Sequence, residues 1–291
     1  MSIREPGPWP ARLTWLLLPL LVGPSLGDAL DACSRAVQLT ASTLAWGGWA
    51  LVLVAVLLPR TVSLTALRTG APLAVAIALW AGFAGERSAM DVLGVGWAAL
   101  TVVAAFLPET GDAFVNGSSY GDERRMPLRV PGSLLLGPLQ LTWAAAVAAP
   151  VGAPLLLAAR QWVAGGALLV LGVPAAVISI RALHGLSRRW VVFVPAGLVL
   201  HDLHALTDPV LFPKARMRRL GPAPADPGEA RDLTQGALGL ALQLELGEDL
   251  DVAPRRPDGS LELEKVDRIL FTPTRPGAVL REAASRGLPV G

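Results

Sequence analysis

Gly117-Ser118-Ser119-Tyr120-Gly121 has the G-x-S-x-G spacing of a nucleophile elbow, in which a strained strand-to-helix turn presents a serine hydroxyl for acyl transfer. Such a serine needs a base, and His184, His201 and His204 are the chain's three histidines. The surroundings do not suit the motif. No apolar strand precedes it, and Asp122 to Pro131 is too charged and too proline-bounded to form the helix that must follow. A serine hydrolase working inside the membrane would need its serine within one span and a histidine within another, and no predicted span has an interior histidine. Ser119 is therefore not assigned a catalytic role.

His201, Asp202 and His204 have metal-ligand chemistry, but residues three apart on a strand point to opposite faces, and the spacing supplies no fourth ligand. Asn116-Gly117-Ser118 has the form of a glycosylation acceptor, read here as accidental on a cytoplasmic segment. No phosphate-binding glycine loop, zincin motif or dinucleotide fingerprint occurs, so neither cofactor nor metal is assigned.

Two polar clusters have binding chemistry. Ser119, Tyr120, Asp122, Glu123, Arg124 and Arg125 lie in the long polar segment Glu109–Gly132, which also holds the single tyrosine. Arg124 or Arg125 can grip a carboxylate or a lipid phosphate through its planar fork of donors. The bland alternative is a solvated loop whose arginines set topology. Lys214, Arg216 and Arg218 alternate and would share one face of a strand, with Arg219 beside them. Near an anionic leaflet each would contribute about 1 kcal/mol of attraction. An edge strand protected by charge, or neutralisation by the acidic run from Asp226 to Asp267, explains the same pattern.

The elements that must position these groups are dominated by apolar spans. The 291 residues are 53% hydrophobic and 16% charged, and the mean hydropathy is +0.51, outside the range of soluble globular chains. Runs at about 13–26, 36–58, 64–84, 89–107, 133–158 and 162–183 are read as transmembrane, most of them near the ~20 residues that cross a bilayer. The first is also compatible with the apolar region of a signal peptide. Charges such as Asp28, Asp31, Glu86, Arg87, Asp91 and Arg160 fall at the ends of these runs, leaving no ion relay at mid-membrane.

Residues 1–183 are accordingly read as a helical membrane domain with one polar loop at 109–132, and 184–291 as a second domain. Arg4, Arg12, Arg60, Arg68, Arg124, Arg125, Arg129, Arg188 and Arg189 fall on one side, against Arg35, Arg87 and Arg160 on the other. The positive-inside rule then places both termini, the loop and the second domain in the cytoplasm, on the inner face of a cell membrane. A net charge of +2, without a concentrated basic surface, gives no reason to invoke nucleic acid. The lone Cys33 forms no internal disulfide.

Beyond His184 the apolar period shortens. Arg189–Pro195 and Leu198–His201 around Ala196-Gly197 read as a hairpin, and Leu211–Leu220 as a further extended stretch. Gly221–Asp232 reads as a surface loop. Leu238, Leu240, Leu242, Leu244 and Leu246 alternate as on one strand, and Val266–Phe271 as on another. Pro276–Arg286 reads as a helix stopped by Gly287. The predicted fold is an α-helical membrane bundle of about six transmembrane helices, followed by a small β-rich domain with a C-terminal helix.

With RRWVVFVPAGLVLHD and ILFTPTRPGAVLREAASRG as its main segments, 187–287 resembles the bacterial pleckstrin-homology-like domains carried by multi-pass membrane proteins. DAFVNGSSYGDERRMPLRVPG and its flanking spans resemble uncharacterised actinobacterial membrane proteins. These resemblances imply a fold and a location, and no activity. The expected function is that of a non-enzymatic scaffold or accessory subunit, with the 109–132 loop and the C-terminal domain as its interaction surface. The expected partners are the bilayer and either another membrane protein or anionic lipid headgroups. The alternative is a transporter or lipid-handling protein, its path lined by the prolines and small residues of the spans.

Overall fold

The structure is a computed structural model in which residues 7–84, 88–256, 260 and 262–291 are described. Arg4, Glu86 and Arg87, used above for topology, lie outside the described residues. The chain forms two compact units. One is helical, comprising the described residues of 1–114 together with 140–184, and the other comprises 115–139 together with 185–291.

In the helical unit, α1 (Trp9–Asp31), α2 (Arg35–Leu57), α3 (Thr61–Ala84), α4 (Ala89–Phe106), α6 (Pro138–Ala158) and α7 (Trp162–Leu186) are long and apolar enough to cross a membrane. The short α5 (Pro108–Asn116) stands between α4 and α6. The chain is a multi-pass membrane protein. Large apolar side chains such as Leu51, Phe83, Val92 and Leu171 point outward, as lipid contact requires, while alanines such as Ala71, Ala78, Ala98 and Ala105 are buried. Without a hydrophobic drive between helices in lipid, small residues let backbones approach and supply the packing. α1 packs against α2, α3 and α4. Gly94 of α4 is the sharpest case, since a β-carbon there would lie 2.7 Å from the Leu21 carbonyl oxygen of α1. Tryptophan indoles tie the helices at fixed points. Trp97 Nε1 donates to the Thr14 carbonyl at 2.9 Å, and Trp143 Nε1 to the Thr69 carbonyl at 3.0 Å.

The second unit begins earlier in the chain than the sequence suggests. Within the segment read as a loop, Arg124–Pro127 is a strand, β1. It pairs antiparallel with β2 (Trp190–Val194), with Arg124 opposite Phe193 and Pro127 opposite Trp190. The helical pair α6 and α7 is thus an excursion between two adjacent strands of one sheet.

The sheet continues through β3 (Gly197–His201) to β4 (Val210–Pro213). Gly197 makes the β2–β3 turn at φ +150°, in a position where any side chain would run into the Phe212 carbonyl. A second sheet has the order β5 (Met217–Pro222), β7 (Leu242–Val252), β8 (Glu264–Phe271), β6 (Arg231–Asp232). Backbone bonds join the two sheets at their corners. Arg129 N donates to Thr272 O and Thr274 N to Pro127 O, both at 2.9 Å, and Thr207 N donates to Ala253 O at 2.9 Å.

Val191, Phe193, Leu198, Leu200, Phe212, Leu220, Leu242, Leu244, Ile269 and Phe271 form one core, which α8 (Pro276–Ser285) completes with Ala278, Val279 and Ala283. The expected hairpin, late strand and C-terminal helix are all present. The alternating leucines are divided: Leu242, Leu244 and Leu246 are buried on β7, whereas Leu238 and Leu240 precede the strand and are exposed. The alternation continues past the point at which β7 meets its partners, Pro222 and Phe271, opposite Leu242.

Candidate functional site

The residues proposed from Glu109–Gly132 do not form a free loop. After α5 ends, the Asn116 side chain gathers the turn. Its Oδ1 accepts from Ser119 Oγ at 2.8 Å and from the Arg125 backbone N–H at 3.1 Å. Ser119 therefore stands between a helix and a strand in the order helix, serine, strand, the reverse of the nucleophile elbow, with its hydroxyl engaged by an amide. Tyr120 is 87% exposed at the tip. Gly121, at φ +58°, turns the chain back, and Glu123 N donates to Tyr120 O at 3.2 Å.

From there the charged residues divide by the faces of β1. Arg125 lies opposite Val192, forms an ion pair of 2.9 Å with Glu123, and has its guanidinium 5.7 Å from the Trp190 ring centroid. His201 stacks on the same indole at 4.7 Å. These groups and Val192, Val194 and Val199 line a shallow concavity of about 280 Å³ on the outer face of the first sheet. Arg124 lies opposite Phe193 in the ladder.

Asp122 faces a second concavity, of about 390 Å³, with Val194, Lys214, Glu282, Ser285 and Arg286 on its walls. Here one residue from each proposed cluster meets. Lys214 Nζ donates to the Arg286 carbonyl at 2.7 Å, at the C-terminal end of α8, where a cation complements the helix dipole. Arg286 Nη2 donates to the Asp122 carbonyl, and its Nε to Glu282, each at 2.7 Å. The walls thus carry both signs of charge, a surface for a partner with complementary charges rather than for a simple anion.

The basic cluster does not share one strand face. Lys214–Arg216 is a single 3-10 turn, and the register shifts between Met217 and Arg219, so Arg218 falls at an irregularity of β5. Arg216 faces Glu248 at 3.6 Å, and Arg219 faces Glu245 at 3.6 Å while its Nε donates to Gly291 O at 3.2 Å. The exposed arginines thus have acidic neighbours within the unit, which lowers the field they project. The alternation rule fails here because proline and the 3-10 turn interrupt the extended backbone.

Sequence reasoning missed what Arg189 does. It was counted as a flanking arginine, yet it is buried and its guanidinium grips the equally buried Asp202 through two bonds of 2.7 Å, with Nη1 donating to the Arg129 carbonyl. The signal was present as an arginine directly against the apolar strand WVVFV. Asp202 is consumed by that pair, and His201 Nδ1 lies 2.9 Å from the Arg188 carbonyl. Among the described residues no group of three or more His, Cys, Asp or Glu side chains is arranged to hold a metal. His204 Nδ1 lies 4.0 Å from Asp202 Oδ1, too far for a hydrogen bond. Burial, and then the nearby Arg189 charge, hold its imidazole below the usual histidine range, against the opposing pull of Asp202.

Comparison of the chain with known protein families, with curated proteins and with solved structures finds no match. The functional reading rests on the sequence and the geometry.

The helical unit holds a further polar group that the spans did not reveal. His184 lies on the last turn of α7, where its Nδ1 is 3.0 Å from Thr65 Oγ1 of α3. One turn on, Arg68 Nε donates to the Ala105 carbonyl at 3.3 Å, and its guanidinium sits 5.2 Å from the Phe106 ring centroid. The prediction placed Arg68 on a basic membrane-flanking segment; the structure uses it to satisfy a carbonyl in the last turn of α4.

Proposed function

We propose that this protein is a membrane-anchored docking module, a scaffold or accessory subunit in which a pleckstrin-homology-like domain presents a protein-binding surface at the cytoplasmic face of the membrane. The carrying observation is the pairing of β1 with β2, which makes the polar segment and the C-terminal domain one folded unit. The domain reading is supported by strand order: a four-strand meander, then an antiparallel β5-β7-β8 sheet, then one helix completing the shared core. The docking reading is supported by the exposed Tyr120 beside the mixed-charge concavity of Asp122, Lys214, Glu282 and Arg286. Tyrosine and arginine are enriched at interface centres, and charged and polar groups form the rim. The cytoplasmic placement is supported by the arginine distribution of the sequence.

A photo-crosslinking amino acid at Tyr120 in native membranes tests this. A covalent adduct with a separate protein is expected, and loss of that adduct when Asp122 and Lys214 are both replaced by alanine would tie it to the concavity. Adducts with lipid alone would overturn the docking reading.

The second reading, a transporter or lipid-handling protein, draws on the Thr65–His184 bond and the half-buried Arg68 of the helical unit, since ionisable groups on spans commonly mark transport paths. Flux of labelled lipids or solutes in proteoliposomes, abolished by Arg68→Gln but not by Tyr120→Ala, would favour it.

A further inference from the structure

Leu238 and Leu240 are 68% and 51% exposed although the sequence places them in register with a buried strand. They lie on the segment between β6 and β7, and that segment rests on the stretch of chain that leads into α6. Gly132 lies so close to the Gly236 carbonyl that any side chain there would collide with it, and a β-carbon at Gly132 would sit 4.0 Å from the Leu238 side chain. A β-carbon at Gly239 would similarly lie 2.8 Å from Arg129 Nε. The 3-10 turn Gly132–Leu136 that follows exposes two more leucines, Leu135 at 39% and Leu136 at 89%. Two residues after Leu136 the transmembrane helix α6 begins at Pro138.

The second unit therefore carries four exposed leucines on two segments that pack against each other, at the point where its own chain passes into the bilayer. Scattered exposed leucines need no explanation, but four on two mutually packed segments beside a membrane entry do. An exposed arginine, Arg129, lies over the same segment, where a lipid phosphate would meet it.

We propose that residues 234–241 form a membrane-inserting loop: Leu238 and Leu240, together with Leu135 and Leu136 of the segment on which the loop packs, enter the headgroup and acyl boundary of the leaflet that α6 crosses. The occupant of this surface is lipid. The assignment follows from continuity with the α6 entry, because a chain two residues from the start of a span is already at the interface. Its expected depth is that of an interfacial element, roughly 5–10 Å below the headgroups. The loop then acts as a second attachment of the β unit, independent of which partner occupies the Tyr120 surface.

The test uses the full chain with Cys33→Ser, reconstituted in phosphatidylcholine and phosphatidylglycerol vesicles, with a single cysteine introduced as Leu238→Cys and labelled with an environment-sensitive fluorophore. Leu136→Cys provides the reference at the membrane entry. The proposal expects blue-shifted emission at both positions, quenched more strongly by lipids bearing nitroxides near the headgroup than by aqueous iodide. Solvent-like emission at position 238 with strong iodide quenching would overturn it by placing the loop in water. Protection from both quenchers would also overturn it, because the leucines would then be covered by protein.

Discussion

Arg189 and Asp202 form a two-pronged ion pair inside the β unit, each side chain almost wholly removed from solvent, with Nε and Nη2 of the arginine 2.7 Å from the two carboxylate oxygens. The pair spans the start of β2 and the exit of β3, and through Nη1 it also fixes the Arg129 carbonyl in the segment between β1 and α6. It therefore fastens the part of the sheet from which α6 and α7 leave and to which they return. Replacing one partner strands a buried charge. Asp202→Leu or Arg189→Met should each cost the β unit about 3–5 kcal/mol, whereas the two together should cost markedly less than the sum. Hydrogen exchange of the β2 and β3 amides in the detergent-solubilised chain, read as opening free energy, checks this; additive single-variant losses would refute the coupling.

His204 makes the stability of the same corner pH-dependent. Its imidazole is held below the usual value by burial and by the charges of Arg189 and Arg255, so the folded state favours the neutral ring. In the unfolded chain the ring takes up its proton near the ordinary value of about 6.5. Between that value and the lower folded one, the unfolded state binds more protons, so stability falls as pH falls. The contribution is complete above about pH 6.5 and is lost as pH drops through the folded pKa. His204→Asn, which cannot titrate, should flatten the dependence of the unfolding midpoint across that window; an unchanged slope would exclude His204 as its source.

The architecture was largely legible because its signals are periodic. Five apolar runs near bilayer length became helices, the shorter run at 13–26 lengthened into Trp9–Asp31, and the RWVVFVPAGLVLH hairpin and PGAVLREAASR helix formed where their turn and stop residues placed them. What stayed hidden depends on long-range pairing. Arg124–Pro127 is four residues with a charged start and a proline end, and nothing local makes it a strand. Its register comes from β2, some sixty positions away. The candidate residues were redistributed for the same reason. Asp122 and Lys214 meet only because β1 and α8 are brought together, while Lys214 and Arg218 separate because a 3-10 turn breaks the alternation between them. Arg189 was misread because a charge next to a span has two uses, flanking the membrane or entering a core, and only a partner at Asp202 distinguishes them.

In the helical unit, Gly94 is set by the approach of α1 and α4. A methyl group at this position meets the Leu21 carbonyl rather than a yielding side chain. Gly94→Ala should force the two helices apart at a cost of about 1–3 kcal/mol. Gly96, two residues further along α4, has open space around it and should accept alanine without loss. Comparison of the two variants by the midpoint of thermal aggregation in detergent separates close packing from a general effect of glycine on helix stability.

A proline in α1 explains an unusual tryptophan exchange. Pro19 has no N–H, so the Trp15 carbonyl four residues earlier lacks its helical donor. Trp49 Nε1 of α2 donates to that carbonyl at 3.0 Å, and Trp15 Nε1 donates in return to the Trp49 carbonyl at 3.0 Å. In hydrocarbon no water can replace the missing donor, so the indole completes a backbone that the proline left open. Trp49→Phe keeps the ring and removes the N–H. It should cost about 0.5–2 kcal/mol, the range of interhelical hydrogen bonds in membranes. In a Pro19→Ala background the helix supplies its own donor, so the same substitution should cost clearly less. A double-mutant cycle on reversible unfolding in mixed micelles measures the difference. A Trp49→Phe cost that is the same in both backgrounds would show that the indole contributes through packing and not through the carbonyl that Pro19 exposes.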